Sequence, residues 1–405
     1  MRPGVDVISR ALPPPRSAPT DTGVAFMIGA TASGGAVTLV RSMTEYVAVF
    51  GDRGSSTAQP AWDAADVYFR EGGNKLYVSP TNPSTAFAAS SSSSKSSKSA
   101  DAPVATAVPA TLQAALDALN KDLGPGQVFI ADATLATDPA TQSALLAHAY
   151  ANNRVALLST ADGNATVIEG AATALNTDAN ARYGALFAPS AIVPGVVAGT
   201  TRTVPYAAVQ AGIIARNDFV YSPNQPAAGE LGQSVFALDI AEHYTDLEYQ
   251  TLNDAGASMA RLIYGGVRTY GYRTVVDSTK VPEWLMFGWA RTNMAITADA
   301  EAIGEHYVFS QIDGRGHTLS EFNGDLSAML AGYWESDALF GATAQEAYSV
   351  DTGSSVNTPD TIANGELHAV ISVRMSPDAE WVVIEIVKVA SNVALPATVT
   401  TPVAA

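Results

Sequence analysis

The spacing of apolar residues changes character along the chain. "TGVAFMIGA" places apolar residues almost without interruption, which marks a strand buried on both faces. After a Gly-rich turn and a short strand in "AVTLV", "MTEYVAVFG" predicts a helix that starts near Thr44 and stops at Gly51. In "AWDAADVYFREGG", Ala61, Ala65, Val67, Tyr68 and Phe69 recur at helical spacing before paired glycines, and "NKLYVSPT" reads as the next strand. From 111 to 195, helices over 112–122, 139–152 and 164–176 each precede an apolar strand: "QVFIADA", "RVALLST" and "YGALFAPSAIV". Helix-then-strand alternation of this kind predicts a largely parallel α/β sheet. "TVPYAAVQAGIIARND" predicts an Ala-rich helix, and "YSPNQPAAGELGQ" a loop.

Beyond residue 221 the rhythm differs. "GASMARLIYGGVRTYGYRTV" reads as strands joined by Gly turns. "PEWLMFGWARTNMAITADAEAIGEHYVF" predicts a long amphipathic helix. "TLSEFNGDLSAMLAGYWESDALFG" predicts another, with Leu319, Phe322, Leu326, Met329, Leu330, Tyr333 and Trp334 on one face. "ELHAVISVRMSPDAEWVVIEIVKVA" reads as a hairpin of two β-rich strands about Ser376-Pro377-Asp378.

Both ends read as arms. In "RPGVDVISRALPPPRSAP" a short apolar strand is followed by Pro13, Pro14, Pro15 and Pro19, which neither a core strand nor a helix tolerates. "LPATVTTPVAA" is likewise small and Pro-punctuated, and residues 86–110 are low in complexity and predict an exposed loop. The expected fold class is α/β (α+β). Residues 1–20 form an arm, 21–220 an α/β domain with the 86–110 loop, 221–390 an α+β domain, and 391–405 a second arm.

Composition narrows function. The 405 residues are 47% hydrophobic and 15% charged, with a net charge of −17. That composition is globular; it argues against nonspecific binding to nucleic acid or anionic membrane and fits a cationic partner. The chain has no cysteine, so disulfides, thiolate metal sites and cysteine nucleophiles are excluded. The first residues lack the uninterrupted apolar core of a signal peptide, and no stretch reaches transmembrane length.

Catalytic patterns are sparse. The Gly29–Gly35 turn follows a strand but lacks the lysine and spacing of a phosphate loop. His148 falls inside a helix, and His306 and His317 flank "DGRGH", but none of the five histidines has metal-ligand spacing. The best hint of an enzyme is "DATLATD", which places Asp132 at the end of a parallel strand, where α/β ligand sites form. No Gly-x-Ser-x-Gly elbow accompanies it.

Several segments, taken in order, resemble the sheath proteins of contractile phage tails, R-type pyocins and other contractile injection systems. "PGVDV" is similar to that family's opening arm, "MTEYVAVFG" to its helix ending in Phe-Gly, and "ADVYFREGGNKLYVSPT" to its helix, Gly-Gly break and aromatic strand. "LFAPSAIVP", "VQAGIIARND", "LNDAGASMARLIYGGVRTYG" and "PEWLMFGWART" resemble later elements. The fullest likeness runs from "YWESDALFGATAQEAYSVDTGSSVNTPD" into "GELHAVISV" and "EWVVIEI", where Trp381 replaces a usual phenylalanine. The Ser-rich loop has no counterpart in the resemblance, and residues 111–180 follow the family only in their α/β rhythm.

The resemblance implies an outer α/β domain, an inner C-terminal domain facing a tube, and no cofactor or catalytic step. It implies many-copy helical homo-oligomers around an inner tail tube protein, with baseplate and tail terminator proteins as further partners. It implies no nucleic acid or membrane contact, and a place in a virion tail assembled in the host cytoplasm. On this reading Val5, Val7 and Ile8, with Val382, Val383, Ile384 and Ile386, are strands donated between subunits, and Leu367, Val370, Ile371 and Val373 form the acceptor. Glu321, Asp325, Glu335 and Asp337 are the tube-facing residues. The competing readings are a hydrolase-like α/β enzyme with its site near Asp132, and a different baseplate or capsid assembly protein.

Overall fold

The computed structural model describes residues 20–33, 35–54, 59–81 and 110–380. The arm residues Val5, Val7, Ile8, Val382, Val383, Ile384 and Ile386, and the Ser-rich loop, lie outside the described residues.

Eight strands make the main sheet: β1 (Ala25–Ala30), β2 (Thr38–Val40), β3 (Leu76–Thr81), β4 (Gln127–Ile130), β5 (Val155–Ser159), β6 (Gly184–Ala188), β10 (Ala257–Ile263) and β11 (Gly266–Thr269). Their order is β11-β10-β6-β5-β4-β1-β3-β2. Every neighbouring pair from β10 to β3 is parallel, and only the two edge strands run antiparallel. The sheet takes its last two strands from beyond residue 220, so it reaches past the boundary at which the sequence rhythm changes.

Period-two alternation sends successive side chains to opposite faces. Ala25 and Met27 join one buried cluster, and Phe26 and Ile28 join the other. The first face is covered by α1 (Met43–Phe50), α2 (Pro60–Arg70) and α7 (Tyr206–Val220). The second is covered by α3 (Ala110–Ala118), α5 (Pro139–Ala151), α6 (Ala165–Leu175) and α8 (Asp246–Asp254), with the short α4 (Ala133–Ala136) beside them. The result is a three-layer α/β/α body.

The Ala-rich character of α7 has a packing reason. It is buried on nearly every side, and a Cβ on Gly212 would lie 2.8 Å from the Tyr68 carbonyl oxygen of α2. Small residues let the two helices approach. Glu71, fully buried just after α2, accepts hydrogen bonds from the Ser234 hydroxyl and from the Val235 and Phe236 N–H groups, both at 3.0 Å, and so fixes the long loop after α7.

"YGALFAPSAIV", expected as one strand, is two. β6 stays in the main sheet; β7 (Ala191–Pro194) crosses into a three-stranded sheet with β8 (Thr201–Val204) and β9 (Asp239–Ile240). The break falls at Pro189, which has no N–H to give to a ladder.

The chain then forms two long antiparallel helices, α9 (Phe287–Glu305) and α10 (His317–Glu335), followed by a two-stranded antiparallel sheet of β12 (Tyr348–Asp351) and β13 (Val370–Val373). Helix α9 serves two cores. Phe287, Ala290 and Met294 pack into the main body, and Ile296 packs into a third cluster with Leu330, Leu339 and Ala347. Among the described residues no helix is long and apolar enough to cross a membrane.

Candidate assembly interface

The β12–β13 sheet is where the predicted acceptor strand lies. Tyr348, Val350, Ile371 and Val373 alternate inward onto the helices, while Ser349, Asp351, Val370 and Ser372 face out. Val370 is 51% exposed. Leu367 is half-buried just ahead of the strand. The sequence reading missed β12. In the structure β13 pairs with β12, Tyr348 opposite Val373 and Asp351 opposite Val370. The second strand of the expected hairpin begins outside the described residues. After β13 the chain is held elsewhere: the Ser376 N–H donates to the Ala338 carbonyl, and Glu380 pairs with Arg273.

The two outer edges of this sheet differ. Arg374 N–H donates to the Ala347 carbonyl at 2.8 Å, so the even-numbered residues of β13 turn their backbone groups toward β12. Ile371 and Val373 therefore turn theirs away, and among the described residues that edge has no backbone partner. The outer edge of β12 is covered instead. The Asn323 Nδ2 of α10 donates to the Val350 carbonyl at 3.0 Å and to the Thr352 hydroxyl at 3.2 Å. Beside the open edge runs a groove of about 400 Å³, with Ile296, Phe322, Leu326, Ile371 and Val373 on one part of its wall and Asn293, Thr297 and Glu301 of α9 on another.

Asn357, 3% exposed, sets the start of β13. It accepts from the His368 N–H and donates to the His368 carbonyl, both at 2.8 Å. Thr358 next to it caps a short helix through the Thr361 N–H, and Pro359 takes the first helical position, where no N–H is needed. The sequence carried this signal as "NTP".

The predicted tube-facing residues lie on or just past α10. Glu321, Glu335 and Asp337 are exposed; Asp325 is half-buried and accepts from the Tyr307 hydroxyl at 2.6 Å, which ties down the α9–α10 connection. Between them Gly324, Ala328 and Gly332, spaced four apart, keep one helix face low. The surrounding charge is one-sided: residues 287–380 hold fourteen carboxylates against three arginines, a net charge of −11. One of those arginines, Arg291, is fully buried and paired with Asp218.

The two chain ends meet the described body at defined points. Thr20 N–H and hydroxyl both donate to Asp299 Oδ1, at 3.1 and 2.5 Å, and Thr22 hydroxyl donates to Asp218 at 2.7 Å. At the other end Arg273 donates to both oxygens of Glu380. Burial, with Glu380 adding to it, pushes the nearby Asp378 carboxyl up to about 6. Sequence reasoning missed all of these, because their partners are remote in the chain.

The enzyme hint resolves into caps. Asp132 accepts from the Thr134 and Leu135 N–H groups at 2.9 and 3.0 Å, starting α4. Asp138 accepts from Thr141, starting α5. His148 is buried against Arg154, His306 closes α9 and His317 opens α10. Among the described residues no group of three or more metal-binding side chains is arranged around a common point.

No protein-family model matches the chain, and no curated protein does. Solved structures do match. The helical sheath of the anti-feeding prophage in its contracted state aligns at a TM-score of 0.69 and 19% identity, over 95% of this chain and 99% of that one. The contracted sheath of the extracellular contractile injection system PVC aligns at 0.67 and 16%, over 96% and 98%. The sheath tail protein of Desulfitobacterium hafniense aligns at 0.56 and 12%, over 86% and 93%. The chain has the fold of these proteins nearly end to end.

Proposed function

We propose that the protein is the structural subunit of a contractile sheath. Many copies wind helically around an inner tube, and the lattice shortens and widens to drive the tube through a target envelope. The observation that carries this reading is the shared fold with contracted sheaths over more than nine-tenths of both chains. No catalytic step is needed. The energy resides in a metastable extended lattice that is released as subunits rotate.

Such a lattice needs links that survive large rigid-body motion. A strand donated to a neighbour's sheet is suited to this, because its backbone hydrogen bonds hold while the linker bends. In this reading Val5, Val7 and Ile8, and the segment with Val382, Val383, Ile384 and Ile386, are the donors, and the open edge at Ile371 and Val373 is the acceptor. The groove beside that edge supports the assignment, since its apolar wall of Ile296, Phe322 and Leu326 would take the inward side chains of an added strand. Four to six backbone bonds at about 0.5–1.5 kcal/mol each, with about 1.5–3 kcal/mol per buried Val or Ile, make one link moderately strong. Hundreds of links in a closed lattice make the polymer permanent in practice.

The α10 face with Glu321, Asp325, Glu335 and Asp337 is proposed to meet a cationic tube, and the α/β body to point outward. Baseplate and terminator proteins would close the ends of the assembly, which would be built in the host cytoplasm. Deleting residues 1–12 tests the linkage. The expected product is a folded monomer that forms no tubes by negative-stain microscopy; normal tubes from that variant would refute the arm reading.

A further inference from the structure

We infer that Asp299 is the anchor of the N-terminal arm: it delivers pull on the arm to the α9–α10 helix pair and shields β1 from it. The inference rests on the strand-donor reading above and adds a positioning role to residues that reading does not use.

Residues Thr20 to Gly23 lead directly into β1, a central strand of the main sheet. They are held by side chains on both flanks, in the alternation expected of an extended segment. Thr20 places its N–H and its hydroxyl on Asp299 Oδ1 of α9, and Thr22 places its hydroxyl on Asp218, which is ion-paired with Arg291, also on α9. Asp21 faces the other way and pairs with Lys75 at 2.5 Å. Asp299 and Arg291 stand eight residues apart on one helix, so the segment is tied to α9 at two heights about 12 Å apart.

The other carboxylate oxygen of Asp299 supplies the functional link. Asp299 Oδ2 accepts from the Tyr333 hydroxyl at 2.7 Å. Tyr333 belongs to α10, and its ring packs on the third cluster, beneath the β12–β13 sheet. One carboxylate thus joins the root of the outgoing arm to the helices that carry the acceptor for an incoming one. Burial, with the Asp299 charge adding to it, holds the Tyr333 phenol above its ordinary range, so the donor keeps its proton at every working pH.

Geometry decides what this joint does under tension. A strand pulled at its end without bracing peels from its sheet one hydrogen bond at a time. Here the bonds at Thr20 are loaded first and together, before any load reaches Ala25. Tension entering at the β12–β13 edge of one subunit therefore leaves along its own arm through Tyr333 and Asp299, without crossing the eight-stranded body.

The test uses full-length Thr20→Val and Tyr333→Phe, each of which removes one hydroxyl donor at nearly constant shape. Monomer melting is followed by circular dichroism, and dissociation of assembled sheaths in urea by light scattering. The expected result is sheath dissociation about tenfold faster for each variant, the scale of one lost hydrogen bond to a charged acceptor, and out of proportion to the small drop in monomer melting that the same lost bond causes. Dissociation at the parent rate, in a protein whose residue 1–12 deletion still blocks assembly, would overturn the anchor and leave the arm reading intact. A drop in monomer melting that accounts for the faster dissociation would also overturn it, by reducing the contact to ordinary fold stability. Normal assembly of the deletion variant would instead remove the arm reading itself.

Discussion

Arg154 is fully buried, and among the described residues no carboxylate forms an ion pair with it. Its guanidinium donates to the Leu119, Asn120 and Gly124 carbonyls and stacks 3.7 Å from the Phe26 ring centroid. The carbonyls at a helix C-terminus carry partial negative charge and substitute for an anion. His148 sits beside it, its Nε2 3.1 Å from Arg154 Nη1. Burial first, and then the Arg154 charge, holds His148 down to about 4 against an ordinary 6.5, with Asp117 opposing weakly. A group depressed in this way stabilises the fold fully above pH 6.5, and that contribution is lost as pH falls from 6.5 toward 4. It amounts to about 3 kcal/mol across the window. In urea denaturation the parent should lose about 2–3 kcal/mol more than His148→Gln between pH 7.0 and 4.5, a comparison in which the opposite contribution of the raised Asp378 carboxyl cancels. An equal loss in the variant would discard the account. His148 was legible as an ordinary helix position, but its neighbour was not, because only tertiary folding brings Arg154 against it. The same holds for Thr20 and Asp299, which lie 279 residues apart in sequence.

At the scale of elements, the helices and the parallel strands could be read in advance because burial imposes periods on sequence. The inward face of α10, with Phe322, Leu326 and Leu330 buried, follows the predicted stripe. Strand β12 escaped because "YSVD" is four residues long and half exposed, too short to show a period. Its partner β13 gives a sharp test of the acceptor edge. Ile371 turns its N–H away from β12, so Ile371→Pro removes no ladder bond from the monomer and denies one to an arriving strand. Ser372 turns its N–H toward β12, so Ser372→Pro breaks the existing pair. Ile371→Pro should give folded monomers that do not polymerise, whereas Ser372→Pro should lower monomer melting itself. Sheaths of normal length from Ile371→Pro would show that the edge is not used.

Over the whole molecule, charge is the strongest asymmetry. Of the net −17, −11 lies in residues 287–380, less than a quarter of the chain. The total was plain from composition, but its placement on the helix pair and small sheet emerges only once the body is folded away from them. Reversing Glu321 and Glu335 to lysine should weaken co-sedimentation with the inner tube proposed above by about tenfold at low salt, with the gap closing near 1 M, where the screening length is about 3 Å. The same deficit at both salt concentrations would point to packing, and charge complementarity would have to be given up.

The unequal edges of the β12–β13 sheet also bear on time. Asn323 occupies one side, so if the sheet accepts strands as proposed, two arriving from two neighbours would not dock independently. The second would reach the sheet only by lying along the first. Growth on the proposed acceptor would then have an obligatory order, in which the earlier guest becomes an interior strand and the later one stays outermost. Ageing or damage would run in reverse, with the most recent link the first to loosen and the oldest protected by those that followed.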